Sequence, residues 1–171
     1  ATTGELTRAM DEIVWAVNPR HDTPESLSNY VSRFAQDFLG SAQIRCRLAM
    51  PLQVPDLPVR SDVRHNLFLA FKEALHNAVK HSGANEVRVA LQFQPGGFHL
   101  VVTDNGVGFD PKRLAGCAGP GRAAPGNGLR NIRSRLAQIE GRSEIHSAVG
   151  EGARVELFVP LPDLTSSDAG N

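Results

Sequence analysis

Apolar residues recur along this chain at helical spacing first and at strand spacing later. Leu6, Met10, Ile13 and Val17 stand alternately four and three residues apart, as in a helix packed on another helix, and Asn18-Pro19 ends that run. Asp22 and Thr23 can cap a second helix with Pro24 in its first turn, and Leu27, Val31, Phe34 and Phe38 repeat the spacing down to Gly40. Either both helices cover one side of the domain that follows, or the first belongs to a dimerisation bundle. Ile44, Cys46 and Leu48 then alternate with polar residues as in a half-buried strand, and residues 51–58 read as a connecting loop.

Ser61 is placed to cap a long helix reaching about His81, with Leu67, Phe71, Leu75 and Val79 in one stripe. Val87, Val89, Leu91 and Phe93 alternate, Pro95-Gly96-Gly97 make a turn, and Phe98, Leu100 and Val102 alternate again up to Asp104, which predicts a hairpin with one face buried. Residues 110–126 are rich in Gly, Ala and Pro with little apolar periodicity, so they read as a lid-like loop of the kind usually kept for function. A helix from about Asn127 to Glu140 turns Leu129, Ile132, Leu136 and Ile139 inward. A last hairpin joins strands near Ser143 to Val149 and Ala153 to Val159 through Gly150-Glu151-Gly152, and residues 163–171 read as a disordered polar tail. The pattern predicts an α+β domain behind an N-terminal helical segment.

Composition narrows this picture more than it extends it. A chain of 171 residues with 41% hydrophobic positions fits one main core and an appendage. Eighteen basic residues balance eighteen acidic ones, so no overall field favours nucleic acid or an anionic membrane, and a bound polyanion must be held locally. The only cysteines, Cys46 and Cys117, give neither a disulfide framework nor a metal-ligand spacing, and a reducing cytosol is the simplest setting. No run of eighteen apolar residues and no secretory signal occurs. The start at Ala1 to Gly4 reads as a cut from a larger chain, and a membrane-anchored parent stays open.

Three polar elements carry candidate chemistry. Glu73, Asn77 and His81 are spaced by four in the long helix, roughly 160° around from Phe71, Leu75 and Val79 at about 100° per residue. A solvated face is the ordinary explanation for such a stripe. Its carboxylate, carboxamide and imidazole could also order a water, ligate a hard metal ion through oxygen and meet a phosphate. Asp104-Asn105-Gly106-Val107-Gly108 follows an apolar strand, and its glycines permit close backbone approach or positive φ, in a ligand site or in a plain Asn-Gly turn. Gly126-Asn127-Gly128-Leu129 opens a helix, whose unpaired N–H groups suit a phosphate as well as a simple helix start.

In order, these elements resemble the GHKL ATPase superfamily of gyrase, heat-shock chaperone, histidine kinase and mismatch-repair ATPases, over roughly Ser61 to Pro160. Lys72-Glu73-Ala74-Leu75-His76-Asn77-Ala78-Val79-Lys80-His81, with Asp104-Asn105-Gly106-Val107-Gly108-Phe109, is most similar to sensor histidine kinases with a nitrate-sensor-type dimerisation domain. Val14-Trp15-Ala16-Val17-Asn18-Pro19 resembles the end of the second bundle helix in such kinases. The resemblance implies a Bergerat fold: a two-layer α/β sandwich whose mixed, mostly antiparallel sheet is covered on one face by helices. It implies part of a dimerisation helix over residues 1–20 and the ATP-binding catalytic domain over 21–162. Asp104 is then expected to accept a hydrogen bond from the adenine amino group, with Gly106 and Gly108 letting the base lie close. Asn77 is the expected Mg2+ ligand, Lys80 and His81 meet phosphate, and Gly126, Gly128 and Leu129 shape the phosphate-binding helix start. Glu73 is the candidate catalytic residue. It orients water in hydrolytic relatives and is left to support the metal shell where a histidine is the nucleophile.

The implied function is transfer of the ATP γ-phosphate to a histidine outside this chain, for relay to a response regulator. The implied setting is a homodimer in the cytoplasmic part of a membrane-anchored sensor, with the dimerisation helices as partner and no nucleic acid. Three departures bear on it. His76 stands where relatives often carry Asn. Ala153 replaces a usual Thr and removes a hydroxyl from the adenine water network, lowering the expected affinity. No histidine lies on the first helix and His21 falls in a loop, which puts the acceptor upstream of Ala1. The alternatives are an anti-sigma-type serine kinase, an ATP-hydrolysing module and a non-catalytic interaction module. His65, His99 and His146 show no metal spacing, Lys112, Arg113 and Arg122 either close over phosphates or are solvated, and Cys117 has no base beside it.

Overall fold

A computed structural model describes Met10, Asn18, residues 22–115 and residues 127–161. The first helix, His21, Cys117, Arg122, Gly126 and the polar tail therefore lie outside the described residues or nearly so.

Helix α1 spans Pro24–Ser41, and its N-cap is Thr23, whose hydroxyl accepts from the Ser26 N–H at 3.1 Å. Its fully buried positions are Leu27, Val31, Ala35 and Leu39, one residue round from Phe34 and Phe38, which are half-buried. Those two rings are spent on a neighbouring helix: Phe34 meets Phe68 and Phe71 edge-on, with centroids 5.0 and 6.2 Å away. This helix covers the domain, which both readings of the stripes allow; the first helix, on which they differ, lies outside the described residues.

Strand β1 (Arg45–Ala49) leads through the 51–60 loop into α2 (Ser61–His81) and back into β2 (Glu86–Gln94), parallel to β1 and paired from Arg45↔Glu86 to Ala49↔Ala90. A helix crossover is what a parallel pair requires. The cap expected at Ser61 falls instead on Arg60, which makes no side-chain capping bond because a guanidinium has no acceptor for the first N–H groups; it donates to Asp62 instead. Strand β3 (Gly97–Asp104) returns antiparallel to β2 through a turn at Pro95-Gly96, and Gly97 is already a strand residue. After the short helix α3 (Pro111–Ala115) come α4 (Asn127–Ala137), β4 (Arg142–Ser147) and β5 (Ala153–Pro160). Helix α4 is shorter than its apolar spacing suggests: Glu140 has a positive φ of 58°, and the Gly141 N–H closes the helix end on the Leu136 carbonyl at 2.8 Å.

The sheet order is β1-β2-β3-β5-β4. Leu100 sits between Leu91 and Leu157, and Val102 between Val89 and Val155, so one face is an apolar ladder under α1, α2 and α4. Leu91, Leu100 and Leu157 are each at most 1% exposed, and burying each stabilises by roughly 1.5–3 kcal/mol. The other face is less bare than a hairpin with one buried face implies. Val101 is 6% exposed there, in the strand between β2 and β5, and the rings of His99 and Phe158 lie 4.8 Å apart, with the Arg142 guanidinium 4.2 Å above Phe158. The architecture is a two-layer α+β sandwich with a mixed, mostly antiparallel sheet, as expected.

Candidate nucleotide-binding site

Helix α2 turns Leu67, Phe71 and Leu75 onto the sheet, and this leaves Glu73 and Asn77 half-buried beside the start of α4. The meeting is close. A Cβ added at Gly128 would stand 2.5 Å from Glu73 Oε1 and 2.8 and 2.9 Å from the two amide atoms of Asn77. A carboxylate, a carboxamide and a helix N-terminus therefore share one space, and the first α4 N–H groups give it positive potential. Half-buried Leu129 packs on the core from the next position. Lys80 and His81 are exposed in the last turn of α2, where cations also suit the helix dipole.

Asp104 ends β3 with its side chain turned inward, and it is 8% exposed. Its Oδ1 accepts from the Gly106 N–H at 2.9 Å. Burial pushes its carboxyl above the usual range, while the N–H groups of Gly106 and Ala153 pull the other way. A partly desolvated carboxylate with no ion-pair partner among the described residues is suited to an uncharged donor such as an amino group.

The glycines around Asp104 are demanded by the protein's own backbone. A Cβ on Gly106 would lie 2.2 Å from the Ser82 carbonyl oxygen, and one on Gly108, at φ +65°, would lie 2.0 Å from that of Ala148. One on Gly152 would lie 2.2 Å from the Asp104 carbonyl oxygen. The Val107 N–H donates to the Ser82 carbonyl at 2.8 Å, the Gly150 N–H to that of Val107 at 2.6 Å, and the Phe109 N–H to Ser147 Oγ at 2.9 Å. Asn105 Oδ1 accepts from the N–H groups of Asn85 and Glu86, anchoring the loop to the start of β2. Ser82, which follows α2, thus links the helix bearing Asn77 to the loop of Asp104.

The candidates form two groups, Glu73 with Asn77 and Gly128, and Asp104 with Gly106 and Gly108. Gly126 lies outside the described residues, as does most of the expected lid, whose first part is α3 with Lys112 and Arg113 exposed. Nothing in the motif spacing points to these supporting roles for Ser82, Asn105, Ser147 and Gly152. A serine and a glycine directly after a helix were the one available signal, for Ser82. Glu73 also lines a groove of about 590 Å³ with Lys72, His76 and Arg135, but Asn77 and Asp104 are not among its walls. His76 is exposed there, edge-on to Phe38 at 6.4 Å.

The two-layer fold gathers these polar groups at the helix side of one sheet end. Residues 62–163, more than half of the chain, match the histidine kinase-, DNA gyrase B- and HSP90-like ATPase family, and the chain belongs to that family. It is 32% identical to the sensor histidine kinase LiaS of Bacillus subtilis (strain 168) over 108 residues, 63% of this chain and 28% of that protein. The histidine kinase domain of the Erythrobacter litoralis EL346 blue-light activated histidine kinase shares the fold at a TM-score of 0.62 and 19% identity, over 85% of this chain and 68% of that one. Full-length ShkA, in complex with AMPPNP, shares it at 0.63 and 22%, over 80% of this chain and 29% of that one. The chain spans less than a third of the length of the curated relatives it matches. Among the described residues, no helix is long and apolar enough to cross a membrane.

Proposed function

We propose that this chain is the catalytic domain of a sensor histidine kinase, delivering the γ-phosphate of ATP to a histidine that lies outside it. The observation that carries the reading is the meeting of Glu73 and Asn77 with the α4 start at Gly128, across Ser82 from buried Asp104. Asp104 accepts from the adenine amino group and fixes the base. The α4 N-terminus with Gly126, Gly128 and Leu129 receives the phosphates, and Lys80 and His81 supply charge or hydrogen bonds to them. Asn77, with a carboxamide oxygen, and Glu73, with a carboxylate beside it, suit a hard cation that keeps most of its ligands from phosphate and water. Mg2+ bound there would neutralise charge on the transferring phosphoryl group. The chain's own contribution is positioning and electrostatics.

In this reaction an imidazole nitrogen bonds to the γ-phosphorus as the bond to the β–γ bridging oxygen breaks, and ADP leaves. Dimerisation helices of the nitrate-sensor type supply the acceptor in the cytoplasmic part of a homodimeric, membrane-anchored parent, and a response regulator takes the phosphoryl group onward. The test is incubation of this chain with γ-labelled ATP, Mg2+ and a separate dimerisation-helix fragment bearing its histidine. Acid-labile, alkali-stable label on that fragment is expected. Label on serine, or release of phosphate alone, would replace the reading with a serine kinase or hydrolase. No turnover and no nucleotide binding would leave an interaction module.

A further inference from the structure

The face of the sheet turned away from the helices carries Arg45, Arg47, Arg88, Arg142 and Arg154 against Glu86, Glu144 and Glu156, in a chain whose basic and acidic residues are equal in number. Two of these carboxylates lie beneath the guanidinium groups that pair with them. The Glu86 side chain is 26% exposed while those of Arg45 and Arg47 are 70% and 53% exposed, and Glu156 is 21% exposed beside Arg154 at 51%. The anions are covered, the cations stand outward, and N–H donors left over from these pairs face solvent.

Strand register sets three of the cations in one row. Arg47 stands opposite Arg88, Arg88 opposite Thr103, and Thr103 opposite Arg154. Like charges directly opposite one another weaken a sheet, and neither cross-strand neighbour of Arg88 is a carboxylate. At about 4.8 Å per strand, the backbone of Arg88 lies roughly 5 Å from that of Arg47 and roughly 10 Å from that of Arg154. A helix crossing the strands offers that spacing, because side chains three to four residues apart on one face are about 5–6 Å apart and those seven apart about 10.5 Å. An extended segment, with same-side residues about 7 Å apart, does not match it. Nucleic acid fits the row poorly. Exposed Glu144 on the same face repels a uniform polyanion, and the Arg142 guanidinium, 4.2 Å from the ring centroid of Phe158, closes that ring to base stacking.

We propose that the open sheet face is a docking surface for an acidic helix of a protein partner, which lies across β1, β2, β3 and β5 with its carboxylates on Arg47, Arg88 and Arg154. Asp104 and the Glu73, Asn77 and Gly128 cluster belong to the opposite, helix-covered side, so this partner and a nucleotide occupy separate faces. The surface stands independently of the ATP-site reading.

The test is an amide NMR titration of the whole 171-residue chain with a synthetic alanine-rich helix that carries glutamates about four and about seven residues apart on one face. A helix of the same composition, with its glutamates spread over all faces, is titrated beside it. Saturable shifts are expected at Arg47, Arg88, Thr103 and Arg154 with α2 and α4 unmoved, and the spread helix should bind about tenfold more weakly. Arg88 is exposed, so Arg88→Glu should fold, which unchanged shifts in the core check directly. It should weaken the ordered helix about tenfold, and lysine in place of the facing glutamate should restore binding. Equal binding of the two helices, shifts centred away from this row, or no rescue by lysine would overturn the proposal. A single-stranded oligonucleotide that binds the row as tightly as the ordered helix would overturn it in favour of nucleic acid.

Discussion

A Cβ on residue 128 would stand 2.5 Å from Oε1 of Glu73, so the carboxylate of α2 and the first turn of α4 share one space only because Gly128 has no side chain. The atoms it would strike are the ends of flexible side chains. Gly128→Ala should therefore leave thermal stability within about 1 kcal/mol of wild type, helped by alanine's helix propensity. Titration calorimetry should show MgATP affinity falling about tenfold, because Glu73 and Asn77 must turn away. Unchanged affinity would mean the pair is not used.

Gly108 presents the opposite balance. Its φ is +65° and the obstacle 2.0 Å from its Cβ position is the Ala148 carbonyl, which is backbone. Gly108→Ala should cost roughly 2–4 kcal/mol and lower Tm markedly by separating the Asp104 loop from the β4–β5 turn. Gly150→Ala shares the positive φ, at +86°, but faces open space, and should cost only about 1 kcal/mol. Equal losses would contradict the assigned contacts.

Asp104 links stability to pH in a direction unusual for a carboxylate. Burial raises its folded pKa above the unfolded one, so between the two the folded chain binds more protons and stability falls as pH rises. Asp104→Asn should be at least as stable as wild type at neutral pH and should remove that slope, which urea unfolding between about pH 4 and 7 would read. MgATP affinity should nonetheless drop about tenfold or more, since the amide must turn its oxygen to the Gly106 N–H and present donors to the adenine amino group. Wild-type binding should weaken on acidification beginning above the ordinary carboxylate range. A pH-independent affinity would count against the ionised acceptor.

Ala153 pairs across the sheet with Asp104 and is half-buried at the start of β5, where a threonine suits the strand. Restoring the hydroxyl with Ala153→Thr should raise MgATP affinity by about threefold to tenfold, measured by calorimetry. A loss of affinity would show that this pocket departs from the superfamily's water network.

Period-two alternation in Val87 to Phe93 and in Phe98 to Val102 was enough to locate the central hairpin, because those side chains face one packed layer. The parallel pairing of β1 was not legible from five residues whose spacing is alike in either direction. Nor was the burial of Arg64, since its carboxylate partner lies 42 positions earlier. At the site, the Asp104 glycines could be marked as special from sequence, but Ser82 and Ala148, which require them, are non-local contacts. The spacing of Glu73 and Asn77 put them on one stripe; only the packing of α4 on α2 could bring Gly128 against both.

The most direct test of the central claim is equilibrium binding of ATP, with and without Mg2+, to wild type, Asn77→Ala and Asp104→Ala. Wild type should bind saturably and more tightly with Mg2+, Asn77→Ala should lose that Mg2+-dependent part, and Asp104→Ala should lose discrimination for adenine over other bases. Saturable binding that neither substitution alters would place the nucleotide elsewhere and contradict the site as described.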